Sequence, residues 1–120
     1  MARYVDGFVI ALPKKKVGAY LKMARLGAKV WKEHGALEYY ECVGDDFKVQ
    51  YGMPFPKLVG LTKGETVVFS WIVYRSKKHR DSVNAKVMKD PRMNSQDFQN
   101  NMPFDMKRMA YGGFETLVYW

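Results

Sequence analysis

Residues 67–74, with the sequence VVFSWIVY, restrict the possible fold most strongly, because they predict a β-strand that is apolar on both faces. Successive side chains of a strand point to opposite sides of the sheet. One face therefore carries Val67, Phe69, Trp71 and Val73, and the other carries Val68, Ser70, Ile72 and Tyr74. The helices of a short chain can cover one face of the sheet. The second apolar face predicts another covering layer, and a second copy of the chain is the simplest candidate.

The order strand, helix, strand occurs twice along the chain. The first half contains a predicted strand over 4–12, a helix that follows Pro13 and runs to about residue 33, and a strand over 37–43. The second half contains a strand over 67–75, a helix over 77–89 and a strand over 108–118. This order predicts an α+β, ferredoxin-like βαββαβ fold with a four-stranded antiparallel sheet and both helices on one face. At 120 residues, we expect one domain over 1–120.

Local signals mark the ends of both predicted helices. After the first helix, the pair His34-Gly35 supplies a glycine that can adopt the left-handed conformation of a helix C-cap. Ser76 is the predicted N-cap of the second helix, and Asp90-Pro91 is the predicted breaker at its other end.

The net charge of +8 is spread evenly along the chain, which bears on whether the protein binds nucleic acid. Each half of the sequence holds 10 Lys and Arg residues against 6 Asp and Glu residues, so there is no basic tail. Most lysines fall on the two predicted helices, where solvated faces usually collect charge. These lysines lack the aromatic partners of a single-strand binding surface, so nucleic acid is not the favoured partner. RNA or polyanion binding is kept as the alternative, through a basic helical face of Lys14–Lys16, Lys22, Arg25, Lys77, Lys78 and Arg80.

Cysteine content and the lengths of the apolar runs indicate a cytoplasmic protein. Cys42 is the one cysteine, and its position in a strand-like run predicts a buried, reduced thiol. The apolar run over 8–12 is too short to span a bilayer, and we expect no signal peptide or membrane span. The two histidines and scattered carboxylates lack the spacing of a metal site, and the sequence has no nucleotide-binding motif. We therefore expect no metal and no cofactor.

Five motifs in the chain resemble those of a known bacterial family. They are DGFV at 6–9, VVFSWIVY at 67–74, DPRM at 90–93, MPFD at 102–105 and KRMAYGGFE at 107–115. Together they make the chain similar to the YbaA-type family, a domain of unknown function in the dimeric α+β barrel superfamily. The resemblance implies a homodimer whose two sheets pair face to face. The wider superfamily includes cofactor-free monooxygenases, lactone isomerases and haem enzymes, so the resemblance by itself assigns no reaction.

His79 is the candidate catalytic residue. It shares a face of the second predicted helix with Val83 and Val87, so its imidazole is expected to point toward the sheet. A helix N-terminus disfavours protonation of a nearby histidine and would leave a neutral base near pH 7. The alternative is a hydrogen-bonded histidine that only stabilises the start of the helix.

A ligand pocket is predicted inside the barrel, between the two paired sheets, where leftover volume could hold a small apolar or aromatic molecule. Trp71, Tyr74 and Tyr111 are the expected aromatic wall of this pocket. Arg108 is its expected charged residue.

Charged and polar residues of the second helix and the following loop form another candidate group: Arg80, Asp81, Asn84, Asp90, Arg92, Asp105 and Lys107. One interpretation is a structural network that locks the loop across the end of the sheet. The other is an anion clamp formed by Arg80, Arg92 and Arg108.

The sequence therefore predicts a homodimer that binds a small, mainly apolar or aromatic molecule. A cofactor-free oxygenase or isomerase is the enzymatic interpretation. A regulatory binding module without turnover is the other, and the sequence leaves open whether the chain is an enzyme.

Overall fold

A computed structural model describes residues 3–120 of the chain. The predicted domain also includes Met1 and Ala2, which lie outside the described residues. The strands are β1 (Tyr4–Pro13), β2 (Glu38–Val43), β3 (Glu65–Tyr74) and β4 (Ala110–Glu115). The helices are α1 (Val17–Glu33), α2 (Phe55–Leu58), α3 (Lys77–Lys89), α4 (Pro91–Asn94) and α5 (Gln96–Asn100). Single 3-10 turns at Lys14–Lys16 and Met106–Arg108 precede α1 and β4.

The four strands form one antiparallel sheet in the order β2-β3-β1-β4. The two central strands, β1 and β3, pair along ten residues each, from Tyr4 opposite Tyr74 to Pro13 opposite Glu65. They are central because both of their faces are apolar and need cover. The predicted ferredoxin-like fold is confirmed.

The hydrophobic core lies between the helices and one face of the sheet. At one end, Tyr20 and Ala24 of α1 pack on Ile10 and Leu12 of β1. At the other end a second cluster joins both long helices to β3, and its buried members are Val30, Ile72, Tyr74, Val83 and Val87. Both long helices therefore cover the same face, as the sequence predicts.

The predicted signals act at the ends of both long helices. Gly35 has φ +110, a left-handed conformation in which a side chain would be strained, and it follows the C-cap residue of α1. The Ser76 hydroxyl accepts a hydrogen bond from the His79 backbone N–H at 3.1 Å at the start of α3. After α3, Asp90 is the N-cap of α4 as well as the end of α3, so the breaker starts a new short helix.

Two predictions from the sequence are wrong. The last strand covers Ala110–Glu115 and not 108–118. β4 pairs with β1 alone, and it ends at Glu115 because this residue lies opposite Tyr4, the first residue of β1. Arg108 belongs instead to the 3-10 turn that Asp105 caps. The Cys42 thiol was expected to be buried, but it is exposed because its position on β2 points away from the helices.

The face of the sheet opposite α1 and α3, which we call the open face, is apolar. The Tyr40 and Trp71 rings stack there with centroids 4.7 Å apart, and Phe69 packs beside Trp71 at 5.4 Å. Phe69 is 43% exposed and Phe114 is 61% exposed, although both lie on strands. Neither α1 nor α3 covers these rings, although Phe55 of α2 packs on Phe69 with ring centroids 5.8 Å apart.

We expect Leu12→Ala to lower the free energy of unfolding by about 2–5 kcal/mol, because Leu12 is fully buried between α1 and the sheet and its removal leaves a void. Leu117→Ala is the matched control, since Leu117 is 92% exposed and its truncation should change stability by no more than about 0.5 kcal/mol. Urea unfolding followed by circular dichroism measures both. Equal losses in the two variants would contradict this account of the core.

Candidate ligand-binding site

A cavity of about 470 Å³ lies between the helix-facing side of the sheet and the helices, and we call it the lateral cavity. Its floor is formed by Phe8 and Ile10 of β1 and by Ser70 and Ile72 of β3, which share that side of the sheet. Successive turns of α1 form the opposite wall, with Tyr20, Ala24, Gly27 and Trp31. The cavity is thus on the other side of the sheet from the barrel interior in which the sequence placed the pocket.

Methionine and aromatic side chains make up most of the cavity wall. Six of the eight methionines of the chain line it: Met23, Met88, Met93, Met102, Met106 and Met109. Four of these belong to the irregular segment over 93–109, which closes one side. Thioether chains are flexible and polarisable, so such a wall can adapt to apolar molecules of different shapes.

Asp6 places a carboxylate in this apolar wall. Asp6 lies on β1 two residues from Tyr4 and two residues from Phe8, so its side chain points to the same helix-facing side of the sheet and is buried there. Arg80 Nη1 donates to Asp6 Oδ1 at 2.7 Å, and Asn84 Nδ2 lies 3.4 Å from Asp6 Oδ2. Burial raises the pKa of Asp6 above its usual value, and the Arg80 charge opposes that rise without cancelling it.

Further hydrogen bonds extend from Asp6 to α1. Trp31 Nε1 donates to both the Tyr74 hydroxyl and Asn84 Oδ1, each at 3.1 Å. The Tyr74 hydroxyl donates to the same Asn84 oxygen at 3.1 Å. We call these five residues, Asp6, Trp31, Tyr74, Arg80 and Asn84, the Asp6 network. It ties α1, α3, β1 and β3 together at one end of the cavity.

A second carboxylate, Glu41 of β2, lies in another part of the wall. The Tyr20 hydroxyl donates to Glu41 Oε1 at 2.7 Å, and the Tyr39 hydroxyl donates to Oε2 at 2.8 Å. Burial and the Glu41 charge both raise the pKa of these two phenols. The phenols therefore stay protonated and act as donors at physiological pH.

The four residues predicted to form one pocket are not brought together. Tyr111 lines the lateral cavity and stacks on Phe8, with ring centroids 4.9 Å apart. Tyr74 is fully buried within the Asp6 network, while Trp71 lies on the open face. Arg108 contacts Glu65 at the far end of β3. Strand parity separates Trp71 from Tyr74, since the two are three residues apart.

His79 is not at the cavity. Its Nδ1 accepts a hydrogen bond from the Arg75 backbone N–H at 3.0 Å, and its ring meets the edge of the Tyr74 ring. Burial and the nearby Arg75 charge lower the pKa of His79. The lowered pKa favours the neutral imidazole, but the ring is turned back to the start of α3, and this contact fits the alternative in which it stabilises the helix end.

The three arginines of the suggested anion clamp are each paired with a different carboxylate. Arg80 contacts Asp6, Arg92 contacts Asp90 and Glu33 within 2.8 Å, and Arg108 contacts Glu65. Asp6 lies opposite Ile72 of β3. At roughly 3.3 Å per residue along the strand, Ile72 and Glu65 are about 23 Å apart, so Arg80 and Arg108, which contact Asp6 and Glu65, are too far from each other to form the clamp.

The remaining charged residues of that candidate group have local roles. Asp90 also accepts from His34 Nε2 at 2.9 Å, which joins the end of α1 to the turn after α3. Asp81 is exposed beside Arg80 and Lys77. Asp105 caps the 3-10 turn before β4, and Lys107 is exposed within that turn.

The basic helical face also differs from its prediction. Arg80 does not belong to it, because its side chain is only 14% exposed and is directed into the Asp6 network. The lysines of that face, and Arg25, are exposed at the surface.

Asp6 and Glu41 are the charged residues of the cavity, and the sequence did not predict either as a site residue. A signal for both was present in the strand parity. Asp6 alternates with Phe8 and Ile10, and Glu41 alternates with Tyr39, so each carboxylate interrupts a row of apolar side chains on the helix-facing side. An acidic residue at such a position is expected to be buried with a partner.

Over residues 3–120, no three His, Cys, Asp or Glu side chains are grouped closely enough to hold a metal ion. Over the same residues, every helix is too short or too polar to cross a lipid bilayer.

Comparisons with known proteins identify relatives over nearly the whole chain. The model of a family described as protein of unknown function (DUF1428) matches residues 3–106. The uncharacterized protein YbaA of Escherichia coli strain K12 is 48% identical over 116 residues, which cover 97% of each chain. The same identity and coverage hold for the YbaA protein of Shigella flexneri.

Two solved structures share the fold at low sequence identity. A dimeric ferredoxin-like protein from an uncultured marine organism superposes with a TM-score of 0.56 at 11% identity, covering 100% of this chain and 98% of the other. A Nipsnap-family protein with unknown function from Agrobacterium tumefaciens gives a TM-score of 0.57 at 16% identity, covering 95% of this chain and 87% of the other.

The Glu65–Arg108 ion pair makes stability depend on pH. Arg108 donates to both carboxylate oxygens of Glu65, at 2.6 and 2.9 Å, and these bonds lower the pKa of Glu65 from 4.5 to about 2. A lowered folded-state pKa adds stability above the unfolded value of 4.5, and that stability is lost as the pH falls toward 2.

We therefore expect Glu65→Gln to be less stable than the wild type at pH 7, with a difference that shrinks as the pH falls from 4.5 to about 2. Urea unfolding at a series of pH values measures it. Arg108→Met removes the same pair and should give the same trend. A difference that stays constant down to pH 2 would contradict this assignment.

Proposed function

The chain belongs to the DUF1428 family of proteins of unknown function, and we propose that it binds a small, mainly apolar or aromatic molecule in the lateral cavity. One observation supports this most directly: an apolar cavity of about 470 Å³ contains a buried carboxylate, Asp6, at its wall. Ligand pockets usually have volumes of roughly 300–1,000 Å³, apolar walls and a few polar groups that orient the ligand.

The exposed residues of the wall indicate where a ligand would enter. Met88, Met106 and Tyr111 line the cavity, yet each is more than half exposed. They lie on α3, on the 3-10 turn and on β4, so the wall of the cavity reaches the protein surface at these three elements. Molecules that enter between them would meet Phe8 and the Asp6 network behind it.

A cofactor-free isomerase is the enzymatic form of this proposal. The Asp6 carboxylate would take a proton from a carbon next to a carbonyl group of the bound molecule, and the electron pair left behind would move onto the carbonyl oxygen to give an enolate. Return of the same proton to a different atom gives an isomer and restores Asp6. The burial that raises the pKa of Asp6 makes it a stronger base, and Arg80 and Asn84 lie beside it.

The other two activities use the same cavity. An oxygenase would need O₂ to react with the enolate as a second substrate. A regulatory module would bind the molecule without proton transfer, with Asp6 only as a hydrogen-bond acceptor. The proposal of binding is common to all three.

Filling the cavity tests the binding proposal. We expect Ala24→Leu to weaken binding of tryptophol, a neutral indole alcohol, about tenfold or more, because Ala24 lines the cavity and is 5% exposed. Ala19→Leu is the matched control on the exposed side of the same helix and should bind as the wild type does. Chemical-shift titration by NMR measures both affinities.

Thermal unfolding shows whether the larger side chain at position 24 is tolerated, since overpacking costs about 1–3 kcal/mol. Absence of shifts at cavity residues of the wild type with millimolar tryptophol, and also with its protonated amine analogue tryptamine, would contradict the proposal. So would equal affinity of a folded Ala24→Leu variant.

We also propose that two copies of the chain pair through the open face. The rings of Tyr40, Phe69, Trp71 and Phe114 lie on the side of the sheet away from α1 and α3, and Phe69 is still 43% exposed beside Phe55 of α2. The ferredoxin-like relative from the marine organism is described as dimeric, which supports the same arrangement here. Pairing would also cover Cys42, and Trp71 then becomes an interface residue instead of a ligand contact.

A charge on the open face tests the dimer. We expect Phe69→Glu to raise the dimer dissociation constant by about 100-fold or more, because an unpaired charge in an apolar interface costs several kcal/mol. Leu21→Glu is the matched control, since Leu21 on α1 is 45% exposed and Phe69 is 43% exposed. Sedimentation equilibrium should give twice 13.9 kDa for the wild type and the control. A wild type of 13.9 kDa, or an unchanged dissociation constant in the Phe69→Glu variant, would contradict the proposal.

A further inference from the structure

Glu41 carries a charge in the lateral cavity that the protein does not neutralise. Among residues 3–120 it forms no ion pair with Lys, Arg or His, and its two protein partners are the hydroxyls of Tyr20 and Tyr39. Asp6, by contrast, is paired with Arg80. Asp6 therefore has a positive partner and Glu41 has none in the described part of the chain. The charged groups that line the cavity are negative, although the net charge of the chain is +8.

Aromatic rings surround the Glu41 carboxylate. The Tyr20 ring lies 5.9 Å from that of Phe104, and the Tyr39 ring lies 6.1 Å from that of Trp31. All four rings line the cavity. The faces of aromatic rings attract cations, and a carboxylate among them adds a direct ionic partner.

The phenols hold the carboxylate in position without using all of its hydrogen-bonding capacity. Each oxygen of Glu41 accepts one hydrogen bond, and a carboxylate has about four acceptor sites. The remaining sites are free for a donor in the cavity. A ligand that brings a positive charge would gain a charge-assisted hydrogen bond in a poorly solvated place.

Gly27 of α1 makes room for this arrangement. A Cβ atom at position 27 would lie 2.7 Å from the Tyr39 hydroxyl oxygen, which is too close. The helix can therefore pass over the tyrosine only because residue 27 has no side chain. The position of Tyr39 against Glu41 depends on this close approach.

We propose that the molecule bound in the lateral cavity is an apolar amine, whose protonated nitrogen contacts Glu41 while its apolar body lies against the methionine and aromatic walls. This proposal rests on the proposed function and names the chemical class of its ligand. Glu41 is a binding residue in it. Asp6 lies at a separate part of the wall and faces the body of the ligand.

Two probes of nearly equal shape distinguish the proposal from simple apolar binding. Tryptamine carries an ammonium group at neutral pH, and tryptophol has a neutral hydroxyl in its place. We expect the wild type to bind tryptamine about tenfold or more tightly than tryptophol, because a charged hydrogen bond exceeds a neutral one. Chemical-shift titration by NMR measures both dissociation constants.

Glu41→Gln removes the charge and keeps the shape of the side chain. We expect the preference for tryptamine to fall to about twofold or less in this variant, since only the aromatic attraction is left. Glu38→Gln is the matched control, because Glu38 lies three residues earlier on the same strand but on the open face. It should keep the tenfold preference.

The outcomes separate this proposal from the proposed function. Binding of neither probe would overturn both. Equal affinity of the wild type for the two probes would overturn the amine proposal and leave the binding cavity intact, as would an unchanged preference in Glu41→Gln. Where Glu41→Gln does not fold, the comparison of the two probes on the wild type decides the question.

Discussion

The antiparallel pairing of β1 with β3 determines which side chains can meet in this protein. Ten residues of each strand alternate between two environments, so the register from Tyr4–Tyr74 to Pro13–Glu65 assigns every side chain to the helices or to the open face. The cores at both ends, the floor of the lateral cavity and the buried position of Asp6 all follow from that assignment. A one-residue shift of β3 relative to β1 would exchange the two faces of β3, moving Tyr74 to the open face and Trp71 toward the helices.

The polar groups at the cavity are costly if stability is their only role. A buried ion pair such as Asp6–Arg80 usually stabilises a fold no better than well-packed apolar residues of the same volume. Glu41 has no ionic partner among residues 3–120, and two phenols donate to its carboxylate. Each group is nevertheless held by residues from at least two elements, which fixes its geometry in advance. Such preorganisation reduces the entropy that a bound molecule must lose.

Strand parity and helix signals predict the fold well, because they are local and periodic. The rows on β1 and β3, the C-cap glycine Gly35 and the N-cap Ser76 are all visible in the sequence. The candidate site is less predictable. Trp71 and Tyr74 are predicted to lie on opposite faces of β3 and are also predicted to line one pocket. The second prediction is wrong, because the cavity lies on one side of the sheet only. The segment over 93–109 has no period, so its place as a cavity wall depends on tertiary contacts.

This segment also separates the part of the chain that maintains the fold from the part that shapes the cavity. It contributes methionines and phenylalanines to the wall, but no residue of 93–109 takes part in the sheet pairing. Substitutions there can alter the size and shape of the binding space while the strands and their register stay as they are. Related chains could therefore differ in the molecule they bind through substitutions in this one segment, while the two carboxylates and the sheet stay the same.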